Sequence, residues 1–335
     1  DANGDGLEDL YLCQENGLPN RLLLHNPDGT ATDVSEAWEA DWLQDSRSAL
    51  FIDWDNDGDQ DLAVAIRGGV LLAENINQQR FAYRNLIETS NDTMSLSAAD
   101  YDNDGDLDLY VCAYNRNLFY EPLESDQTAI QGHVFLIHDA NNGARNRLLR
   151  NDGDASFTDV TKQVGLNVNN HRYSFAAAWE DFDNDGDQDI YVANDFGRDN
   201  LYRNDDGTFQ DISEEARIEN SASGMGIAWA DYNRDGWMDT YVSNMWSSAG
   251  HRITHQPQFK ASDHHAKNRL QRSARGNTLL KNLTDGSFTD VSQPAHVELG
   301  RWAWSNQFVD LNNDGWEDLV VANGYLTGVD DSGVL

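Results

Sequence analysis

Five aspartates occupy alternate positions in the nine-residue segment DWDNDGDQD, residues 53–61. Like charges this close repel one another, so a source of positive charge must neutralise them. Oxygen ligands at positions 1, 3 and 5 of a loop, glycine at position 6 and a backbone carbonyl at position 7 are typical of calcium sites. The residue types and their spacing therefore predict a calcium-binding loop in which Gly58 makes the sharp turn.

The nine-residue pattern occurs six times along the chain, which argues against a merely solvated acidic turn. Asparagine at position 3 of three copies lowers the charge and keeps an oxygen ligand. We expect about six structural Ca²⁺ sites, with side chains at positions 1, 3, 5 and 9 and the carbonyl at position 7 as ligands. These predicted ligands are Asp1, Asn3, Asp5, Leu7 and Asp9; Asp53, Asp55, Asp57, Asp59 and Asp61; Asp100, Asp102, Asp104, Asp106 and Asp108; Asp181, Asp183, Asp185, Asp187 and Asp189; Asp231, Asn233, Asp235, Trp237 and Asp239; and Asp310, Asn312, Asp314, Trp316 and Asp318.

The loops do not fit a calcium sensor of the EF-hand type. An EF-hand has a bidentate glutamate at position 12 and a helix on each side of the loop. Position 12 is instead an apolar strand residue in every copy: Leu12, Val64, Val111, Val192, Val242 and Val321. A dockerin, which also needs helical flanks, is excluded in the same way. The position 9 aspartate is therefore the expected fifth protein ligand, and the loops are expected to be structural.

The sequence patterns on both sides of each loop predict β-strands. A strand of small residues precedes most copies, with an aromatic residue two places before the first aspartate at Phe51, Trp179, Trp229 and Phe308, but with Ala98 in the third copy. An alternating run such as LYVCA follows, and then two further strands around a turn. Four short strands per unit of about 50 residues predict an all-β β-propeller whose calcium loop joins strands 1 and 2 of each blade. A β-solenoid, with shorter and more regular repeats, is the alternative.

The copies begin at residues 1, 53, 100, 181, 231 and 310, so two spacings exceed the others by about 30 residues. They indicate insertions at 114–144 and 245–276. The predicted single domain has blades at about 1–45, 46–94, 95–172, 173–222, 223–300 and 301–335. Because the chain opens inside a motif, enters the first blade after its first strand and stops after two strands of the sixth, we expect a piece of a longer protein, with seven blades in total. The natural N-terminus and any signal peptide would then precede residue 1.

Composition limits the partners of the chain. The net charge of −35 and the pI of about 4.2 argue against nucleic acid and anionic membrane surfaces. No apolar run approaches the length of a membrane span, about 18 residues. Two cysteines cannot provide a disulfide framework, and Cys13 and Cys112 fall at the same repeat position, where other copies have alanine or serine. Both are therefore expected to be small core residues.

This pattern resembles the FG-GAP/VCBS repeat, the calcium-bearing blade also found in integrin alpha subunits. The stretch that begins SNMWSSAGHRITHQPQF and the later GRWAWSNQFVDLNNDGWEDLVVANGYLTG are similar to bacterial relatives of the cartilage acidic protein (ASPIC/UnbV) family. Those proteins are exported, and often carry a C-terminal ASPIC/UnbV domain that is not in this sequence. The resemblance implies the fold and leaves the biochemical role open.

The calcium loops also bear on localisation. Extracellular-type sites have dissociation constants of about 10⁻⁴–10⁻³ M, and would be filled in millimolar calcium but empty in the cytosol. Empty loops would leave their carboxylates to repel one another. A secreted, periplasmic or cell-surface protein is therefore expected.

The face opposite the calcium loops is the expected functional surface. Both insertions fall between strands 2 and 3, so they emerge on that face, together with the links 167–174 and 295–304. We call it the insertion face. The second insertion carries six lysines and arginines but one acid, Asp263. It would bind an anionic glycan or an acidic protein surface, or else dock onto the acidic blades of its own chain.

Histidines and aromatic residues add candidates on this face. His251 and His255, or His264 and His265, would converge with His171 in a transition-metal or catalytic site, although no fixed metal-binding spacing supports one. Tyr114, Phe119, Tyr120 and Phe135 of the first insertion would form an aromatic wall for a sugar or a packed hairpin. Other histidines expected near this face are His133, His138 and His296. The candidate ligand-binding residues are His171, Arg172, His251, Arg252, His255, Arg269, Arg272, Arg275 and Trp302.

Three functions remain open from the sequence. The first is a calcium-stabilised extracellular binding module for adhesion, glycan or protein binding, or surface assembly. The second is an enzyme, a polysaccharide lyase or hydrolase with histidine as the base and arginine as the charge neutraliser. The third is a structural subunit of an extracellular assembly or oligomer. The first is favoured because no nucleophile elbow, zinc signature or phosphate loop occurs.

Overall fold

A computed structural model describes residues 1–89, 92–115 and 139–324. Regular structure in these residues consists of twenty-one strands and two short helices. The strands form six antiparallel sheets that follow one another along the chain. Neither helix is long and apolar enough to cross a membrane, among the residues described.

The six sheets are assembled from strands adjacent in sequence, so each is a simple up-and-down meander. The first sheet contains β1 (Leu10–Leu12), β2 (Arg21–His25) and β3 (Ala31–Asp33); the second β4 (Ser46–Ile52), β5 (Asp61–Ile66), β6 (Gly69–Asn75) and β7 (Phe81–Glu88); the third β8 (Thr93–Ala99), β9 (Asp108–Ala113), β10 (Arg147–Asn151) and β11 (Phe157–Asp159); the fourth β12 (Tyr173–Glu180), β13 (Asp189–Phe196), β14 (Asn200–Asp205) and β15 (Thr208–Asp211); the fifth β16 (Gly224–Ala230), β17 (Asp239–Asn244), β18 (Thr278–Asn282) and β19 (Phe288–Asp290); and the sixth β20 (Ala303–Val309) and β21 (Asp318–Asn323).

Among the described residues, helices interrupt this pattern in the fifth sheet alone, between β17 and β18. There α1 (Ser248–Thr254) and α2 (His264–Arg275) pack against each other. Side chains that precede the helices cap both of them. Ser247 accepts a hydrogen bond from the Gly250 amide, and Asp263, the one acid of this insertion, accepts one from the Ala266 amide.

The first strands of successive sheets lie side by side, in the order β4, β8, β12, β16 and β20. Small residues make this close approach possible. A Cβ atom on Gly226 in β16 would lie 3.0 Å from the Cα of Ser305 in β20. The small residues that precede the loops in the sequence thus allow the first strands to lie close together.

Aromatic pairs join neighbouring sheets in a repeated way. A tyrosine in the strand that follows one acidic loop meets the aromatic residue of the strand that precedes the next loop in an edge-to-face arrangement, with centroids 6.1–6.4 Å apart. The four pairs are Tyr11–Phe51, Tyr110–Trp179, Tyr191–Trp229 and Tyr241–Phe308.

The exception at Ala98 now has a packing explanation. The strand that follows the second loop carries Ala63, whereas the strands after the first, third, fourth and fifth loops carry tyrosine at this position. Both members of the aromatic pair are therefore absent together. Trp54, which is 3% exposed, lies in the same core cluster as these two alanines. A large residue from the adjacent loop thus occupies the core in which the pair is absent.

These sheets agree with most of the sequence predictions. The fold is all-β, with four complete four-stranded sheets, a first sheet of three strands and a sixth with two described strands. The strand β8 begins at Thr93, two residues before the predicted boundary at 95. The helices at 245–276 were not expected, because the repeat pattern is one of strands. Cys112 is buried and Cys13 half-buried, neither is in a disulfide, and burial raises the pKa of their thiols to about 12 and about 11.

The aromatic pairs predict a specific stability change. Trp229→Ala should lower the free energy of unfolding by about 3 kcal/mol, because it removes an indole packed between two sheets. Trp229→Phe should cost clearly less, since phenylalanine serves at Phe51 and Phe308 and the Trp229 indole N–H has no hydrogen-bond partner among the described residues. Urea unfolding curves measure both. Equal losses in the two variants would contradict the packing role.

Candidate metal-binding loops and insertion face

The six acidic loops share one backbone geometry. The aspartate at position 1 accepts hydrogen bonds from the amides at positions 5 and 6, at 2.7–3.1 Å in all six loops. The aspartate at position 5 accepts one from the amide at position 7. The glycine at position 6 has a positive φ of 83–99°, which an L side chain would resist. These bonds turn the carboxylates inward.

The aspartate at position 9 anchors each loop to the sheet below it. In the second to fifth sheets it is at most 1% exposed, and it accepts the backbone amide of an asparagine at or next to the end of the third strand at 2.7–2.8 Å. Burial raises the pKa of Asp61 and Asp189 to about 8, of Asp108 to about 7 and of Asp239 to about 6. A buried carboxylate among other carboxylates calls for a cation, because otherwise it must take up a proton.

The carboxylates of three loops are close enough to hold a metal ion. In each of three groups, three carboxylate oxygens lie within 4.8 Å of one another: Asp53, Asp55 and Asp57; Asp100, Asp102 and Asp108; and Asp181, Asp183 and Asp189. Buried oxygens of Asp61 (Oδ2), Asp102 (Oδ1) and Asp183 (Oδ1) have no hydrogen-bond donor in the described part of the chain. All-oxygen ligands of this kind fit a hard divalent cation.

Loops with asparagine at position 3 are arranged differently. Asn3 donates its amide to Asp5 at 3.0 Å, and Asn233 donates to Asp239 at 2.8 Å. The side-chain amide of the asparagine thus stabilises the charge of the neighbouring carboxylate, as a bound cation would.

A buried asparagine ties each of the second to fifth loops to the loop of the preceding sheet. Asn204, at the end of β14, donates to the carbonyls of Tyr101 at 2.8 Å and Gln188 at 3.2 Å, in the third and fourth loops. Equivalent pairs of bonds are made by Asn75, Asn151 and Asn282. These asparagines were not among the site residues predicted from the sequence, although an asparagine occurs near each turn between strands 3 and 4.

The residue at position 4 also touches the next loop along the chain. Asn56 donates to Asp106 at 2.7 Å, and Asn103 donates to Asp187 at 3.0 Å. In the fifth loop Arg234 takes this place, at φ 59°, and its guanidinium lies 3.7 Å above the ring of Trp316. Neighbouring loops are therefore in direct contact.

On the opposite side of the sheets, the basic insertion partly docks onto acids of its own chain. Arg272 and Arg275 both pair with Asp290, the first at 3.5 Å, and Arg269 lies 4.0 Å from Asp139. These contacts support the docking alternative for three of the six cations. Arg252 is exposed on α1.

The structure brings together some of the candidate ligand-binding residues. The rings of His251, in α1, and His255, which caps the end of α1, have centroids 4.3 Å apart. They line an open cavity of about 260 Å³ together with Asn268, Gln271, Arg272, Arg275 and Gln293. Arg269, Arg252 and Trp302 are not among the residues that line it.

Other candidates lie elsewhere on the same side. His171 is in the link before β12, where its amide donates to Asn141 at 3.2 Å, and Arg172 is buried, with a bond to the carbonyl of Asp199 at 3.1 Å. Trp302 pairs with Met245 at the base of the helical insertion. Arg172 and Arg198 also line a second cavity of about 770 Å³ whose other ionisable residues are Asp139, Asp211, Glu214, Glu215 and Glu219.

The predicted aromatic wall is described only at Tyr114. This ring packs edge-on against Tyr173 with centroids 5.2 Å apart, and its hydroxyl donates to Asp195 at 2.5 Å. Tyr114 is therefore part of a packed cluster. Phe119, Tyr120, Phe135, His133 and His138 lie outside the described residues, as does the side chain of His265.

One carboxylate on this side breaks the repeat pattern. Asp199 is fully buried and accepts the amide of Asn194 at 2.8 Å. Asparagine makes the same bond in three other sheets: Asn20, Asn146 and Asn277. Burial raises the pKa of Asp199 to about 7, although Tyr191, Asn220 and Arg172 oppose this effect.

Five segments of the chain, residues 1–64, 53–111, 134–192, 181–242 and 270–321, match the FG-GAP-like repeat. No curated protein matches the chain. Similar solved structures include an Agrocybe aegerita lectin that recognises non-reducing terminal N-acetylglucosamine, at 15% identity over 96% of this chain and 72% of the lectin, with a TM-score of 0.50. The V. cholerae biofilm matrix protein Bap1 is 14% identical over 86% of this chain and 37% of the Bap1 chain, with a TM-score of 0.43. BBS1N in complex with ARL6DN is 11% identical over 93% of this chain and 74% of the BBS1N chain, with a TM-score of 0.47.

The buried asparagines predict a difference between equivalent positions. Asn204→Ala should lower the free energy of unfolding by about 2 kcal/mol, because two buried carbonyls lose their donor. His25→Ala is the matched control, since exposed His25 stands at the equivalent position of the first sheet, and it should change stability by less than about 0.5 kcal/mol. Chemical unfolding tests both. Similar effects in the two variants would contradict the proposed link between loops.

Asp199 predicts a pH dependence. A carboxyl with a higher pKa in the folded than in the unfolded chain stabilises the fold fully below about pH 4, and this contribution is lost as the pH rises through about 7. Asp199→Asn should therefore be at least as stable as the parent protein at pH 8 and should flatten the loss of stability between pH 5 and 8. Thermal unfolding across this range measures it. Asn146→Asp should introduce the same pH dependence, and an unchanged pH profile in both variants would refute the account.

Proposed function

Because the chain belongs to the FG-GAP-like repeat family, with five matching segments, we propose that this FG-GAP β-propeller is a calcium-stabilised extracellular binding module. The observation that carries the proposal is the set of buried carboxylate oxygens in the loops that have no donor among the described residues. Calcium would be held by the side chains at positions 1, 3, 5 and 9 and the carbonyl at position 7. It would supply positive charge and cross-links, and no chemical reaction.

The contacts between loops support a shared stabilising role. Sites with dissociation constants of about 10⁻⁴–10⁻³ M would each add roughly 1 kcal/mol in millimolar calcium. Six such sites would add several kcal/mol, which is comparable with the total stability of a domain. A protein of this kind would function outside the cytosol, in a secreted, periplasmic or cell-surface setting, as the resemblance to ASPIC/UnbV relatives also implies.

The insertion face is the proposed binding surface. It carries the two described helices and the cationic side chains of the second insertion, whereas the opposite side is occupied by the acidic loops. A protein or an anionic glycan would bind there, for adhesion or for surface assembly. The N-acetylglucosamine lectin is a fold neighbour, and its ligand is not transferred to this chain.

Calcium removal tests the proposal. The melting temperature should fall strongly when EDTA replaces 1 mM calcium, and should recover on adding calcium back. Above the dissociation constants, each tenfold rise in free calcium should add up to about 1.4 kcal/mol per occupied site. Differential scanning calorimetry over a calcium series measures this, with magnesium as the control cation. A melting temperature unaffected by EDTA would refute calcium stabilisation.

A further inference from the structure

The cavity beside the histidine pair is lined by two of the six cationic side chains of the insertion. His251 comes from α1, His255 is the residue that caps the end of α1, and Arg272 and Arg275 come from the last turn of α2. Asp290 pairs with both arginines, so it offsets one of the two charges. The remaining positive charge lies in a protein whose net charge is −35.

The arginines are held firmly and yet retain hydrogen-bonding capacity. Arg272 also donates to Thr278 at 2.5 Å, and burial lowers its pKa to about 10. Buried nitrogens of Arg272 (Nη1) and Arg275 (Nε) have no hydrogen-bond partner within the described residues. Two guanidinium groups that line one cavity favour an anionic oxygen as their ligand there.

The other lining groups are neutral amides. Asn268, Gln271 and Gln293 come from α2 and from the link after β19, and each offers both a donor and an acceptor. Hydroxyl groups of a sugar match such amides, and the imidazole faces of the histidine pair offer flat surface to its ring. A free carboxylate on a peptide would need only the arginines. The cavity therefore favours an acidic sugar over an acidic protein segment.

We propose that this cavity binds the anionic group of an acidic sugar residue, a carboxylate or a sulfate, in an extracellular polysaccharide. The inference rests on the proposed binding function of the insertion face, and it names its ligand class. Arg272 and Arg275 would hold the anionic oxygens, while the amides and the two histidines would contact the ring and its hydroxyls. Arg252, which is exposed on α1 and does not line the cavity, would contribute only long-range attraction.

Binding of defined oligosaccharides in millimolar calcium tests the proposal. Isothermal titration with oligogalacturonate and with a heparin-derived oligosaccharide distinguishes carboxylate from sulfate, and a neutral oligosaccharide of similar length is the control. At least one acidic oligomer should bind, and the neutral one should not. Asn268→Phe, which fills the cavity from an exposed position, and Arg275→Gln should each raise the dissociation constant at least tenfold. Arg252→Gln, a matched loss of one charge, should change it less than threefold.

Two outcomes would overturn the assignment of the cavity as a sugar site. Equal weakening by Arg252→Gln and Arg275→Gln, with no effect of Asn268→Phe, would show diffuse attraction to the insertion and overturn the cavity assignment. Failure of both acidic oligomers to bind the parent protein would also overturn it. Melting curves of every variant confirm folding. Calcium-dependent melting without sugar binding would reject only this inference, whereas melting independent of calcium would reject the proposed function separately.

Discussion

Repulsion between carboxylates in the acidic loops is the constraint on which the rest of the structure depends. Each loop turns its aspartates inward, and the second to fifth loops bury the aspartate at position 9 where the loop meets the third strand. A buried carboxylate beside others is unfavourable unless a cation or a proton is present. The raised pKa values of Asp61 and Asp189 reflect this cost. Binding of a cation in the loops would therefore be coupled to folding.

The coupling extends beyond single loops, because neighbouring loops are joined. Asn204 connects the third and fourth loops, and Asn103 connects the same two by a second route. The aromatic pairs, such as Tyr191 with Trp229, connect the same succession of sheets through their cores. Loss of order in one loop would thus remove contacts that stabilise the next sheet. The side opposite the loops is freed from this role and can carry insertions such as α1 and α2.

Much of this arrangement could be predicted from the sequence because the unit repeats. Six copies of one pattern place Asp61 or Asp189 at the start of the second strand, and the small residues before each loop predict the crowded first strands. Comparison of the repeats also explains why Ala98 replaces the aromatic residue of the other copies, because Ala63 replaces the tyrosine that would pack against it. A single copy would have supported none of these conclusions.

The remainder depends on contacts that local patterns do not encode. The helices between β17 and β18 lie in a segment without a counterpart in other repeats, so no comparison within the chain predicts them. Asn151 reaches the carbonyl of Trp54 across 97 residues, and its role emerges only when two sheets are adjacent. The division of Arg269, Arg272 and Arg275 between internal ion pairs and a cavity likewise depends on where Asp139 and Asp290 lie in space.

The central claim is that calcium neutralises the carboxylates of the acidic loops, above all in the second, third and fourth loops, where three carboxylate oxygens lie close together. A crystal structure of the protein grown in millimolar calcium tests it most directly. The account predicts strong density in the second, third and fourth loops, with oxygen ligands from positions 1, 3, 5, 7 and 9 at about 2.3–2.6 Å. Loops that keep their conformation with only water at these centres would contradict it.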